Sequence, residues 1–244
     1  MLDQPLSQRI KARSGPGGIF LTGFNLTLSF PLGLDQVIDT LLSLLYTLHQ
    51  KRKLYGETNM ADRVCPFWVG YLLLNPLRKL LENPDKILGQ FVREGMIDLE
   101  PGCGMGYFTL PLARMVGPRG RVIAVEVQAK MLSALDRRAR KANLVDRIKL
   151  RRIGAEGLGV EDLVGQVDFA VAIHMVHEVP EQAFFFEGVW KALKPGGKLL
   201  VIEPKGHVSE AQLKQTLTAA ENAGFRQEPL PGKVGGRSGL LVKT

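Results

Sequence analysis

From residue 95 onward the chain alternates between two hydrophobic periods. Short runs rich in Ile, Val and Leu predict strands at 95–100, 121–127, 148–153, 167–175 and 198–203. Helical spacing predicts helices at 108–116, 129–142 and 181–193, with Met131, Leu132 and Leu135 on the apolar side of the second. Breakers separate these elements. Gly117-Pro118 ends the first helix, and Lys194-Pro195-Gly196-Gly197 ends the third. Ser209, with Glu210 in the first turn, caps a further helix that Gly224 ends. Two short strand-like pieces at 226–230 and 239–242 close the chain. Strands alternating with helices of about 10 to 15 residues predict right-handed βαβ units, and so an α/β fold with a parallel sheet covered on both faces.

The first 59 residues carry a different pattern. A breaker cluster at 14–18 precedes an apolar stretch at 19–30 that Pro31 and Gly33 end. Leu34, Val37, Ile38, Leu41, Leu42, Leu45 and Leu48 then recur at helical spacing. Asp35 and Asp39 stand at the front of that segment and Lys51-Arg52-Lys53 just beyond it, the polarity a helix dipole favours. Neither apolar stretch is an unbroken run of about 20 residues, as a spanning helix needs. No small-residue cleavage site follows, as a secretory signal needs. Three readings stay open: an amphipathic helix over a substrate cavity, a membrane-surface or partner helix at 34–53, and an extension without function, with Met60 as an alternative start. A second apolar run at 64–74 leads to Asn75-Pro76, a helix start with proline in the first turn. Phe67, Trp68 and Tyr71 there either cover a ligand or serve as packing.

Composition narrows the class. The 244 residues suffice for one large domain, or one domain with an appendage, and 45% apolar with 23% charged residues is ordinary for a soluble protein. Cys65 and Cys103 supply neither a disulfide framework nor a metal-ligand cluster, which favours a reducing compartment such as the cytoplasm. A net charge of +8 suits an acidic partner, either nucleic acid or a membrane surface. The basic runs at 137–141 and 51–53 are short, and on a helix the first spreads over several faces as a solvated surface does. Nucleic acid therefore stays open as a partner without being favoured.

The chemistry concentrates in the loop Glu100-Pro101-Gly102-Cys103-Gly104-Met105-Gly106, directly after a strand and before a helix. Glycines there let the backbone turn tightly and approach a ligand. A dinucleotide fingerprint, G-x-G-x-x-G, would need its third glycine at Tyr107 or Thr109, so it does not fit. The pattern is acidic-x-G-x-G-x-G. Parallel sheets bind ligands at the carboxyl ends of their strands, which predicts one crevice bounded by the loops after Glu100, Val127, Ile153 and Met175.

Several motifs in order resemble the class I S-adenosylmethionine-dependent methyltransferases, over about residues 62–244 and most strongly over 96–197. The loop 100–106 resembles the family's first motif. Glu126, 20 residues beyond Gly106, is similar to the acid that holds the ribose hydroxyls. Gly154-Ala155-Glu156 falls where the family contacts adenine, although many members carry aspartate where this chain has Gly154. The segment 168–180 resembles the fourth strand and its turn, and 193–197 the turn before the fifth. The resemblance implies a Rossmann-like α/β fold: a seven-stranded, mostly parallel sheet, helices on both faces and an antiparallel last strand. It divides the chain into an extension at 1–59, a helical cap at 60–94 and an S-adenosylmethionine-binding methyltransferase domain at 95–244.

The implied cofactor site comprises Glu100, Gly102, Cys103, Gly104, Met105, Gly106, Glu126, Val127, Ala155, Glu156 and His174. Glu100 either bonds the methionine ammonium or braces the loop, and Cys103 is a packing residue rather than a nucleophile. His174 is the preferred general base, with His177 as the second candidate; Glu178 caps the next helix or pairs with a basic group. The expected acceptor is a small molecule, the wider resemblance including methyltransferases of quinone biosynthesis. RNA or protein methylation, and a non-catalytic cofactor-binding role, are the alternatives. The chain lacks the Asn-Pro-Pro-Tyr/Phe run of amide and exocyclic-amine methyltransferases, the Pro-Cys of cytosine C5 enzymes, and the cysteine trio of arsenic methylation.

Overall fold

The computed structural model describes residues 70, 71, 74, 78–154, 157–232 and 234–244. The expectations for 1–59, Cys65, Phe67, Trp68, Asn75-Pro76, Ala155 and Glu156 lie outside the described residues. The strands are β1 (Ile97–Pro101), β2 (Arg121–Glu126), β3 (Ile148–Arg152), β4 (Val167–Ile173), β5 (Leu193–Glu203), β6 (Phe225–Glu228) and β7 (Arg237–Lys243). They form one seven-stranded sheet in the order β3-β2-β1-β4-β5-β7-β6. Strands β1 to β5 pair in parallel, and β7 runs antiparallel to both β5 and β6.

A parallel strand covered on both faces must be apolar almost throughout. In β2, Val122 to Val125 are all buried, which is why the strand reads as an unbroken apolar run. Among the described residues the α-helices include α1 (Arg78–Leu81), α2 (Pro84–Leu88), α3 (Thr109–Met115), α4 (Ala129–Lys141), α5 (Gln182–Ala192) and α6 (Glu210–Asn222). On one face Leu88, Leu112 and Leu135 pack against Val122, Ala124 and Phe169. On the other, Phe186, Val189 and Leu217 pack against Leu99, Ile123 and Val201. The helices thus cover both faces.

Two boundaries differ from the sequence pattern, each for a local reason. β4 ends at Ile173 rather than 175 because His174 turns into the left-handed region, with φ 56. β5 starts at Leu193 rather than 198. Leu193 pairs with Val167, residues 194–197 loop out with Gly196 at φ 75, and pairing resumes between Lys198 and Phe169. The breaker cluster therefore bulges a strand instead of preceding it. Lys194 ties the bulge down by an ion pair to Asp168, whose other oxygen accepts the Ile97 N–H at 2.8 Å.

The caps follow from single residues. Asn83 accepts the amides of Asp85 and Lys86, and Pro84 opens α2. Ser209 caps α6 as expected, its hydroxyl accepting the Gln212 amide while its own amide donates to Gln212 Oε1. In the strand order β1 lies between β2 and β4, so the connections diverge there and open a crevice at the carboxyl ends. Among the described residues no helix is long and apolar enough to cross a membrane.

Candidate active site

A cavity of about 640 Å³ opens at that crevice. Its lining includes Gly102, Gly104, Met105, Glu126, Val127 and Gly154. It also includes His174, Glu178, Phe184 and, from the segment before β1, Gly70, Leu74 and Arg78. All four strand-end loops expected around one crevice contribute to it.

The glycine loop is held by backbone geometry. Gly102, Gly104 and Gly106 adopt φ values of 69, 53 and 81. The amides of Gly102 and Cys103 both donate to the Val125 carbonyl, at 2.8 and 3.1 Å. Arg138 of α4 donates to the Met105 carbonyl. Met105 itself packs on Met131 and Ala134. Cys103 is buried, and burial with the nearby Glu100 and Glu126 charges pushes its thiol well above the usual range, the environment of a packing cysteine.

Glu126 is tied to the same loop. Its Oε2 accepts the Gly104 amide at 3.0 Å, and its Oε1 accepts those of Val127 and Gln128 at 2.9 and 3.0 Å. Burial raises its pKa against the pull of these three bonds. A carboxylate offers about four acceptor positions, so about one is left for another donor.

Glu100 is different. It is buried in the cavity wall, and its Oε2 has no hydrogen-bond partner among the described residues. Burial, with the Glu126 charge adding and the Thr109 hydroxyl opposing, raises its pKa to about 8. Two residues earlier on β1, Asp98 is fully buried with neither oxygen paired among the described residues. Burial and the charges of Asp168 and Glu100 push it well above the carboxylate range.

His174 lines the cavity from the end of β4, its amide donating to the Ile202 carbonyl at 2.7 Å. Its Nε2 lies 3.2 Å from Glu82 Oε1, and its Nδ1 lies 3.5 Å from Arg78 Nη2. Arg78 donates to Glu82 Oε2 through Nε at 2.8 Å and Nη2 at 2.5 Å. Its guanidinium stacks 4.3 Å over the Tyr107 ring, and the Tyr107 hydroxyl donates to the Glu82 carbonyl at 2.9 Å. Burial pushes Glu82 upward, but His174 and Arg78 beside it prevail and hold its pKa at about 2.

His177 stands apart from the cavity lining. Its Nδ1 lies 2.6 Å from Glu203 Oε2 and its amide donates to Glu203 Oε1 at 3.1 Å. Burial pulls its pKa down, yet the hydrogen bond and charge of Glu203 outweigh this and raise it. The pair staples the turn after β4 to the end of β5.

Sequence reasoning did not single out Arg78, Glu82, Asp98 or Arg138. The i,i+4 spacing of Arg78 and Glu82 signals a helical ion pair. Nothing in it points to His174, 92 residues beyond Glu82 (174 − 82).

Residues 99–201 match the methyltransferase domain family. The chain is 32% identical over 112 residues to the demethylmenaquinone methyltransferase of Lactobacillus johnsonii, covering 46% of this chain and 45% of that one. It is 30% identical over 145 residues to a ubiquinone/menaquinone biosynthesis C-methyltransferase of Pectobacterium carotovorum, covering 58% and 54%. The chain therefore spans about half the length of the curated relatives it matches. A SAM-dependent methyltransferase from Aquifex aeolicus superposes with a TM-score of 0.64 at 26% identity, over 73% of this chain and 98% of that one. The fold is that of the Rossmann-like methyltransferases.

Proposed function

We propose that this protein is an S-adenosylmethionine-dependent methyltransferase acting on a small acceptor in the cytoplasm. The observation that carries this is the glycine loop braced on Glu126 beside Glu100, a cavity-lining residue whose buried Oε2 has no partner among the described residues. A buried acceptor left bare is costly, and a cationic ammonium satisfies it. Glu126 retains about one acceptor position for a ribose hydroxyl, and Val127 with Gly154 borders the same side. The sequence resemblance implies Ala155 and Glu156, outside the described residues, as adenine contacts. The donor set therefore fits the cofactor that the sequence resemblance implies.

When bound, S-adenosylmethionine supplies an already activated methyl group. The chain's own task is then alignment, desolvation and, where the acceptor must lose a proton, a base. His174, on the cavity wall, is the candidate for that role. His177, held on Glu203, supports the turn that carries His174. The mainly apolar lining, including Leu74, Met131 and Phe184, suits an acceptor with an apolar body rather than a polynucleotide. The names of the matched relatives, which place them in quinone biosynthesis, support a small organic acceptor.

Titration calorimetry with S-adenosylmethionine, S-adenosylhomocysteine and NAD tests the assignment. Both sulfur ligands are expected to bind and NAD is not; binding of NAD with no response to either sulfur ligand would overturn it. Methyl-labelled donor incubated with a metabolite extract then identifies the acceptor.

A further inference from the structure

The geometry points to Glu82, outside the cavity lining, as the positioning residue that fixes His174 with its proton on Nε2 and its lone pair on Nδ1. This rests on the methyltransferase reading for its role in turnover, but the geometry stands by itself. A carboxylate only accepts hydrogen bonds, so the ring nitrogen 3.2 Å from Glu82 Oε1 is the one that carries hydrogen. A guanidinium only donates, so the nitrogen 3.5 Å from Arg78 Nη2 is the one that offers a lone pair. Two neighbours of opposite character thus select the same tautomer.

Glu82 is suited to this task because it is itself fixed. Its side chain is 14% exposed, its Oε2 is gripped by Arg78, and its carbonyl is gripped by Tyr107. The ring it holds springs from a strained backbone, His174 at φ 56, where free rotation of the side chain would aim the base elsewhere. The segment before β1 therefore completes a site otherwise built from the strand-end loops and the helices α4 and α5. Glu82 acts through His174, while Arg78 and His174 both reach the cavity.

The test uses the full chain labelled with ¹⁵N. A slowly exchanging ring N–H resonance assigned to His174 Nε2, by its absence in His174→Gln, is expected in the wild type. It should be lost in Glu82→Met, which keeps the length and has no acceptor, and weakened but present in Glu82→Gln, whose amide oxygen still accepts. In parallel, methyl transfer from labelled S-adenosylmethionine into a metabolite extract should fall about tenfold or more in Glu82→Met, with donor affinity unchanged. Glu82→Met added to His174→Gln should cost nothing further, because the two act as one unit. A resonance that survives in Glu82→Met, or losses that multiply in the double variant, would overturn the proposal. If the wild type fails to bind S-adenosylmethionine, the methyltransferase reading falls instead, and the resonance still decides whether Glu82 fixes the ring.

Discussion

Glu100→Gln is expected to make the free protein more stable at neutral pH while weakening its hold on S-adenosylmethionine. The carboxyl is buried, and its pKa is raised from 4.5 to about 8. A raised acid means that the folded chain keeps a proton which the unfolded chain releases. Stability therefore falls as pH rises through the window from about 4.5 to 8. At pH 7 the penalty from this one group is about 3 kcal/mol, at about 1.4 kcal/mol per pKa unit. Glutamine keeps the shape and removes the ionisation. Urea unfolding at pH 5 and pH 7.5 should show a smaller loss of stability in the variant than in the wild type. The pH dependence flattens without vanishing, because Asp98 is shifted in the same direction. A wild-type slope retained in Glu100→Gln would refute the assignment. On the ligand side, a bound cation favours the ionised carboxylate, so binding should release a proton. That release reads out as a binding enthalpy that varies with buffer, and it should shrink in the variant. The lost charge-assisted bond, worth about 1.5–3 kcal/mol, predicts affinity weaker by roughly tenfold to a hundredfold. Stability is set against function at this position, as is common where a site holds a buried group ready for a charged ligand.

The balance between local and distant causes decides what could be read from the sequence. The sheet was legible because β2 and β4 are covered on both faces and so are apolar nearly end to end. The glycine loop and Glu126 were legible because the backbone turn and its bracing acid lie in one βαβ unit, where spacing is fixed by the fold. The bulge at 194–197 was not. Pro195-Gly196-Gly197 has the composition of a stop, and only the pairing of Leu193 with Val167 makes it part of a strand. Glu82 was invisible for a related reason, since its partner His174 is brought to it by the pairing of β4 beside β1 and not by sequence spacing. His174 itself was expected at a strand end. Its left-handed backbone, which directs the ring, has no sequence signature in a non-glycine residue.

Two glycines of the same loop are expected to fail in different ways when changed to alanine, which separates the loop's structural part from its functional one. At Gly106, with φ 81, an added Cβ would overlap Cδ1 and crowd Cγ of Leu135, a residue with no exposed surface. Left-handed strain of about 1–2 kcal/mol adds to overpacking of about 1–3 kcal/mol. For a chain of this size the melting temperature should drop by on the order of 10 °C. At Gly104, with φ 53, an added Cβ meets nothing within 4 Å, so only the strain remains, at about 1 kcal/mol, and the melting temperature should drop by about 2–4 °C. Gly104 lines the cavity and Gly106 does not. A methyl group at 104 adds bulk to the cavity wall where the proposed cofactor would bind, and it strains the turn that presents the Gly104 amide to Glu126 Oε2. Gly104→Ala should therefore bind S-adenosylhomocysteine at least about tenfold more weakly while staying folded at 25 °C, a discrimination of about 1.4 kcal/mol. Gly106→Ala should lose affinity only in proportion to its loss of folded protein. Wild-type affinity in Gly104→Ala would mean that the ligand does not approach this loop, and the cofactor would have to be placed elsewhere in the cavity.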